Sequence, residues 1–154
     1  MSITIIITDM RFFDREAEFE KLREIEEISH EVAQFTIITG RRRIGKTEMI
    51  KKFYENKTIL YFFVARKAET DLCDIFIDEI RTKINIPMLD AKGMTFAAIF
   101  KYIMELSLNQ HITLFIDEFQ DFFRVNSSIY SDMQNIWDSY KGKAHINLIV
   151  AGSV

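Results

Sequence analysis

The apolar residues of this chain follow two alternating rhythms. Ile3-Thr4-Ile5-Ile6-Ile7-Thr8 is β-branched throughout and predicts a strand. From about Asp14 the spacing turns helical. Phe19, Leu22, Ile25, Ile28 and Val32 form a drifting stripe, with charges on the other face. Asp14 is placed to cap this helix, and acids fill its first turn. Phe35 to Thr39 predicts a second strand, and Met49, Ile50, Phe53 and Tyr54 the inner side of a second helix. Thr58 to Val64 is almost wholly apolar, as expected where a sheet is covered on both faces. A helix is predicted from about Glu69 to Ile84, with Leu72, Ile75, Phe76 and Ile80 inward. The connection from Asn85 to Gly93 holds Pro87, the single proline. Thr95 is set to cap a helix whose apolar positions are Phe96, Ile99, Phe100, Ile103 and Leu106. A strand from Ile112 to Ile116 ends at Asp117-Glu118. Ser127 or Ser128 starts a helix with Ile129, Met133, Ile136, Trp137 and Tyr140 on one face, where Trp137 reads as core. The last strand runs from Ile146 to Ala151.

Strands that alternate with helices and are apolar on both faces predict an α/β fold, a parallel sheet between two helical layers with right-handed crossovers. In such sheets ligands bind beyond the carboxyl ends of the strands. Gly40, Asp117 and Ser153 each stand at such an end, so three separate regions converge on one edge.

The chemistry-bearing stretch is Gly40-Arg41-Arg42-Arg43-Ile44-Gly45-Lys46-Thr47, between a predicted strand and a predicted helix. Gly-x-x-x-x-Gly-Lys-Thr in that context is the phosphate-binding P-loop. Gly40 and Gly45 lack Cβ atoms, so the backbone can turn and approach a phosphate closely. The loop amides and the helix N-terminus then face the anion. Lys46 reaches the β- and γ-phosphates, and the Thr47 hydroxyl is a ligand for Mg²⁺. A second motif is Leu114-Phe115-Ile116-Asp117-Glu118, an apolar strand ending in two acids. Following a P-loop, it gives Asp117 a place in the Mg²⁺ shell and Glu118 the role of orienting or deprotonating water.

Composition narrows the picture. The chain has 154 residues, about one domain, and nearly half are hydrophobic. A formal net charge of −3 argues against bulk attraction to nucleic acid. Positive charge concentrates instead at Arg41, Arg42, Arg43, Lys46, Lys51 and Lys52, around the expected phosphate site. The one cysteine, Cys73, excludes an internal disulfide, suits a reducing cytoplasm and falls in an apolar helical stretch, where a buried structural thiol is expected. Ile3 to Ile7 is too short to span a membrane and is a poor signal peptide.

On these motifs the chain resembles the archaeal-type ATPases, P-loop ATPases of archaea and bacteria related to AAA+ and STAND proteins. The matching segments are Phe12 to Phe19, Gly40 to Thr47, Phe115-Ile116-Asp117-Glu118-Phe119-Gln120, the Trp137 helix and Val150-Ala151-Gly152-Ser153. The resemblance implies a three-layer P-loop NTPase fold with a mainly parallel sheet. It implies a sheet order Thr58–Val64, Ile112–Ile116, Ile146–Ala151, Phe35–Thr39. Ile3–Thr8, the helix from about Asp14 and Phe35–Thr39 read as a βαβ unit whose right-handed crossover lays Ile3–Thr8 parallel to Phe35–Thr39 on its outer side, the alternative being a frayed terminus or pairing with a second molecule. It implies an adenine nucleotide, with the segment at Phe12 and Arg15 abutting the base. Arg41, Arg42, Arg43, Ile44 and Glu48 would line the nucleotide, and Ser153 would occupy the sensor-1 position. Residues 1–154 correspond to an ATPase core truncated after the sensor-1 strand, without the lid and winged-helix module of such relatives.

The leading expectation is Mg²⁺-dependent ATP hydrolysis with Lys46 and Glu118 as the catalytic pair. The alternative is a nucleotide-binding switch or interaction module with little turnover. A small-molecule kinase lacks an acceptor-binding motif here, and a GTPase lacks an Asn-Lys-x-Asp segment. The sequence leaves a protein partner or self-association open and shows no evident nucleic-acid site.

Overall fold

The computed structural model describes residues 2–6, 16–40, 45–86 and 93–153. Five strands form one parallel sheet in the order β1-β2-β5-β4-β3. The strands are β1 (Ser2–Ile6), β2 (Gln34–Gly40), β3 (Leu60–Phe63), β4 (Ile112–Asp117) and β5 (Ile146–Ser153). The order of β2 to β5 is the one the family resemblance implies, and β1 lies parallel beside β2 as the βαβ crossover predicts, with Ser2 opposite Phe35 and Ile6 opposite Thr39.

Helices cover both faces. On one, α1 (Glu16–Ser29) and α2 (Lys46–Phe53) pack Leu22, Ile25, Met49 and Ile50 against Ile38, Phe115, Ile149 and Ala151. On the other, α3 (Glu69–Lys83), α4 (Phe96–Leu106) and α6 (Ile129–Tyr140) cover Leu60, Phe62, Leu114, Ile116, Ile146, Leu148 and Val150. All six residues of β4 are buried, which is why its sequence shows no alternation. Phe62, Phe76, Phe96 and Phe122 form a contiguous aromatic stack within this second layer.

Thr95 caps α4 as expected, its hydroxyl accepting the Ala98 N–H at 3.2 Å. Ser128 stands at the start of α6 but makes no side-chain cap. Its hydroxyl and N–H both donate to Asn126 Oδ1 instead. Three residues assigned to inward stripes are exposed. Ile75 is 45% exposed, and Cys73 and Ile77 fill the α3 interface in its place. Ile28 and Val32 are 48% and 55% exposed, because α1 ends at Ser29 and its stripe drifts off the sheet. Trp137 is half-buried rather than fully in the core; it packs on Phe35 and lines a surface groove with Tyr130 and Lys141. Between β4 and α6 lie a 3₁₀ turn (Phe119–Asp121) and α5 (Phe122–Val125), neither of which the apolar pattern suggested. The expected Asp14 cap and Pro87 fall outside the described residues.

Candidate functional site

The site begins where β2 ends. Gly40, the last residue of β2, lies opposite Ser153 of β5 in register, and Asp117 of β4 lies opposite Phe63 of β3. The sheet register thus brings four strand ends to one edge. Gly45 sits at the N-cap of α2 with φ 83°, a left-handed conformation that glycine adopts at no steric cost. From there α2 presents its free N–H groups toward the edge.

Lys46 is 6% exposed, and its Nζ donates to the Gly40 carbonyl at 3.0 Å, folding the side chain back over the start of the loop. Burial pushes the Lys46 ammonium below its ordinary pKa, while the Glu118 and Asp117 carboxylates act in the opposite sense and favour the charged form. The Thr47 hydroxyl donates to Asp117 Oδ2 at 2.6 Å, joining residues 70 positions apart. The Tyr61 phenol donates to the same oxygen at 2.9 Å. Burial first, and then the charge of Asp117, raise the Tyr61 pKa, so the phenol stays a donor. The other Asp117 oxygen accepts the Glu118 N–H at 2.9 Å.

Glu118 has φ 55°, the one left-handed non-glycine residue among those described. Such a backbone costs of order 1 kcal/mol and persists where the surroundings enforce it. Here the chain turns sharply from β4 into the 3₁₀ turn, which Tyr130 of α6 anchors by donating to the carbonyls of Phe119 and Gln120. Glu118 Oε2 accepts from Gln120 Nε2 at 2.6 Å, and Gln120 Oε1 accepts the Ser153 N–H at 3.2 Å. The Ser153 hydroxyl stands 3.5 Å from Glu118 Oε1. One amide side chain therefore ties Glu118 to the end of β5. Gly152 makes room for it: a Cβ there would lie 2.9 Å from Gln120 Oε1.

These groups border a cavity of about 630 Å³ lined by Gly45, Lys46, Thr47, Glu48, Phe63, Val64, Ala65, Arg66, Glu118, Asp121 and Ser153. Six of these, Gly45, Lys46, Thr47, Glu48, Glu118 and Ser153, are among the candidates read from the sequence, and Gly40 and Asp117 adjoin the cavity through hydrogen bonds. Arg41, Arg42, Arg43, Ile44, Phe12 and Arg15 lie outside the described residues. Lys51 and Lys52 do not join the cavity. The Lys51 ammonium lies 4.8 Å from the Tyr61 ring centroid, and Lys52 pairs with Glu55 at 3.3 Å. Tyr61, Gln120, Asp121 and the Phe63–Arg66 segment were not read from the sequence. Gln120 carried a signal, the Asp-Glu-Phe-Gln segment, but no role; the others gave none, because their position depends on packing.

The fold, the loop-to-helix turn and the paired acids define a P-loop nucleotide-binding core. Residues 12–154 match the model of an ATPase domain found predominantly in Archaea, and the chain belongs to that family. An uncharacterised protein of Methanocaldococcus jannaschii is 29% identical over 142 residues, covering 92% of this chain and 29% of its own length. An uncharacterised ATP-binding protein of the same organism is 46% identical over 48 residues, 31% of this chain and 78% of the relative. Among solved structures, the Walker-type ATPase of Pyrococcus abyssi superposes with a TM-score of 0.65 at 18% identity, over 95% of this chain and 47% of that one. Cdc6p of Pyrobaculum aerophilum gives 0.59 at 19% identity, over 94% and 40%. The chain thus spans under half the length of these two structures and under a third of the longer curated relative.

Proposed function

We propose that this ATPase-family domain binds Mg²⁺·ATP at the cavity beside Lys46 and hydrolyses it, with Glu118 activating the water. The observation that carries the reading is the Thr47–Asp117 hydrogen bond, which sets the P-loop helix against the acidic end of β4. A hydroxyl and a carboxylate meeting at 2.6 Å form a hard-oxygen donor pair that suits Mg²⁺. Thr47 and Asp117 would hold the ion, directly or through water. Bound there, Mg²⁺ supplies charge neutralisation of the β- and γ-phosphates.

The chain's own groups would divide the rest of the work. The Gly45 turn and the α2 N-terminus bind phosphate oxygens, and Lys46 moves from the Gly40 carbonyl onto the β- and γ-phosphates. Glu118 orients a water in line with the γ-phosphorus and takes up its proton as the new P–O bond forms. The bond between the γ-phosphorus and the β,γ-bridging oxygen breaks, and ADP and phosphate leave. Ser153, at the end of the neighbouring strand β5, would report the γ-phosphate. An ATP-binding relative supports adenine over guanine.

In the test, Glu118→Gln retains ATP binding and loses turnover, whereas Asp117→Asn weakens the Mg²⁺ dependence of binding. Unchanged hydrolysis by Glu118→Gln would remove Glu118 from the chemistry. Binding without turnover in the wild type would replace the hydrolase with a nucleotide-binding switch.

A further inference from the structure

The sheet edge opposite the nucleotide cavity gathers all three histidines of the chain. His30 follows the end of α1, His111 immediately precedes β4, and His145 immediately precedes β5. Glu26, on the last turns of α1, reaches down to the same edge. One donor atom from each of Glu26, His30 and His111 lies within 4.8 Å of the others. We propose that Glu26, His30 and His111 form a binding site for a divalent transition-metal ion of the zinc type.

The carboxylate comes first in the argument. Glu26 accepts from the Tyr54 phenol at 2.7 Å, Asn147 Nδ2 at 2.6 Å and the Thr113 hydroxyl at 2.8 Å. Every one of these donors is neutral, and among the described residues no lysine or arginine forms an ion pair with Glu26. Asn147 is fully buried and turns its amide nitrogen to Glu26 although its own Oδ1 is left without a partner. The cluster is therefore built to hold a carboxylate in one place while supplying no cation. Ligand carboxylates fixed by such neighbouring donors are the usual support of a metal site.

The spacing to His111 fits an ion. His111 Nε2 lies 3.7 Å from Glu26 Oε1, too long for a hydrogen bond. Two atoms each about 2.0–2.1 Å from one tetrahedral ion stand roughly 3.3–3.4 Å apart, so a shift of a few tenths of an ångström closes the gap. The same nitrogen is 2.8 Å from the Ser29 hydroxyl, which donates its own proton to the Glu26 carbonyl. Nε2 therefore carries a hydrogen in the metal-free form, and an ion binding there sends that proton to Nδ1. Neutral imidazole is the form that ligates metals.

His30 supplies the third donor. Its ring stacks on His111 at 3.6 Å with planes 15° apart, so their lone pairs run side by side. To ligate the same ion the exposed His30 ring would have to turn out of this stack, while the His145 Nδ1–H donates to the His30 carbonyl at 2.9 Å and anchors its backbone. Two imidazoles and one carboxylate suit zinc, nickel or copper over magnesium or calcium, and leave a fourth position for water. β4 and β5 separate this site from Asp117 and Ser153 by six to eight residues, roughly 20 Å, so the two sites are distinct.

The test titrates the metal-stripped protein with zinc chloride by calorimetry. One ion per chain is expected, with a dissociation constant on the order of micromolar or tighter. His30→Gln and His111→Gln should each weaken binding at least about tenfold, and His30→Gln should still bind Mg²⁺·ATP as the wild type does. No zinc uptake by the wild type overturns the proposal and leaves a stacked imidazole pair against a buried carboxylate. Zinc binding that both variants retain at full affinity overturns it equally. Should His111→Gln melt lower without metal, the exposed His30 variant, which leaves the core intact, decides the matter.

Discussion

Gln120 is the residue whose importance emerges from side-chain geometry alone. Its amide donates to Glu118 and accepts from the Ser153 backbone, so it holds the proposed general base and the end of β5 in one frame. A hydrogen bond to a charged group contributes about 1.5–3 kcal/mol. Gln120→Leu keeps the volume and removes the amide. Single-turnover kinetics should then show the hydrolysis rate down about tenfold or more, with ATP affinity unchanged. An equal loss of affinity would mean that Gln120 supports the pocket as a whole and not Glu118 in particular. Cys73 shows the opposite behaviour, a reactive group made inert. It is buried in α3, and burial, followed by the charges of Glu69 and Asp74, pushes its thiol up to about 12. At pH 8 the thiolate is then a negligible fraction, against about one in four for an ordinary cysteine. A thiol reagent such as Ellman's should leave the native protein untouched at pH 8 and titrate one thiol on denaturation. Prompt reaction of the native state would place Cys73 outside the core.

At the scale of elements, caps and cross-links decide where helices begin. Thr95 caps α4 through Ala98, while the N–H of Phe96 is taken by Glu69 Oε2 from the first turn of α3. Glu69 also accepts from Asn126 Nδ2 at its other oxygen, tying α3, α4 and the start of α6 together. Thr95→Ala should cost about 1 kcal/mol, the usual loss of a side-chain cap, and lower Tm by about 2–4 °C. Thr95→Ser should restore most of it. A melt identical to wild type for Thr95→Ala would assign the start of α4 to Glu69 alone. The α6 start makes the contrast: a serine occupies the cap position, yet Asn126 captures its hydroxyl and the helix begins without a side-chain cap.

The whole molecule is a parallel sheet with both faces covered, and the proposed nucleotide site lies at one edge of it. Ligand binding there must couple to global stability, since the unfolded chain has no site. At a nucleotide concentration near a hundred times Kd, Mg²⁺·ATP should add about 2.7 kcal/mol, or roughly 5–10 °C in Tm. Lys46→Ala removes one charge-assisted contact and should weaken ATP about ten- to a hundredfold, so the same nucleotide concentration should give a much smaller shift. Equal thermal shifts in wild type and Lys46→Ala would exclude Lys46 from the bound phosphates. Among the described residues no helix is long and apolar enough to cross a membrane.

The fold class was legible in the sequence by itself, the order of β2 to β5 followed from its resemblance to related ATPases, and Gly45 to Glu48, Asp117, Glu118 and Ser153 could be read as converging on one edge. Local rules sufficed because each motif sits at a strand end, and a parallel sheet sends all such ends to one edge. Element boundaries and inward faces were less legible: Ile75, Ile28 and Val32 match an apolar period and still lie at the surface, since the period does not say where a helix leaves the sheet. The positive φ of Glu118, the Gln120 bridge, the Tyr61 phenol on Asp117 and the gathering of His30, His111 and His145 were decided by tertiary structure alone. Each joins residues whose separation along the chain carries no information about their distance, and only the packing of helices onto a finished sheet brings them together.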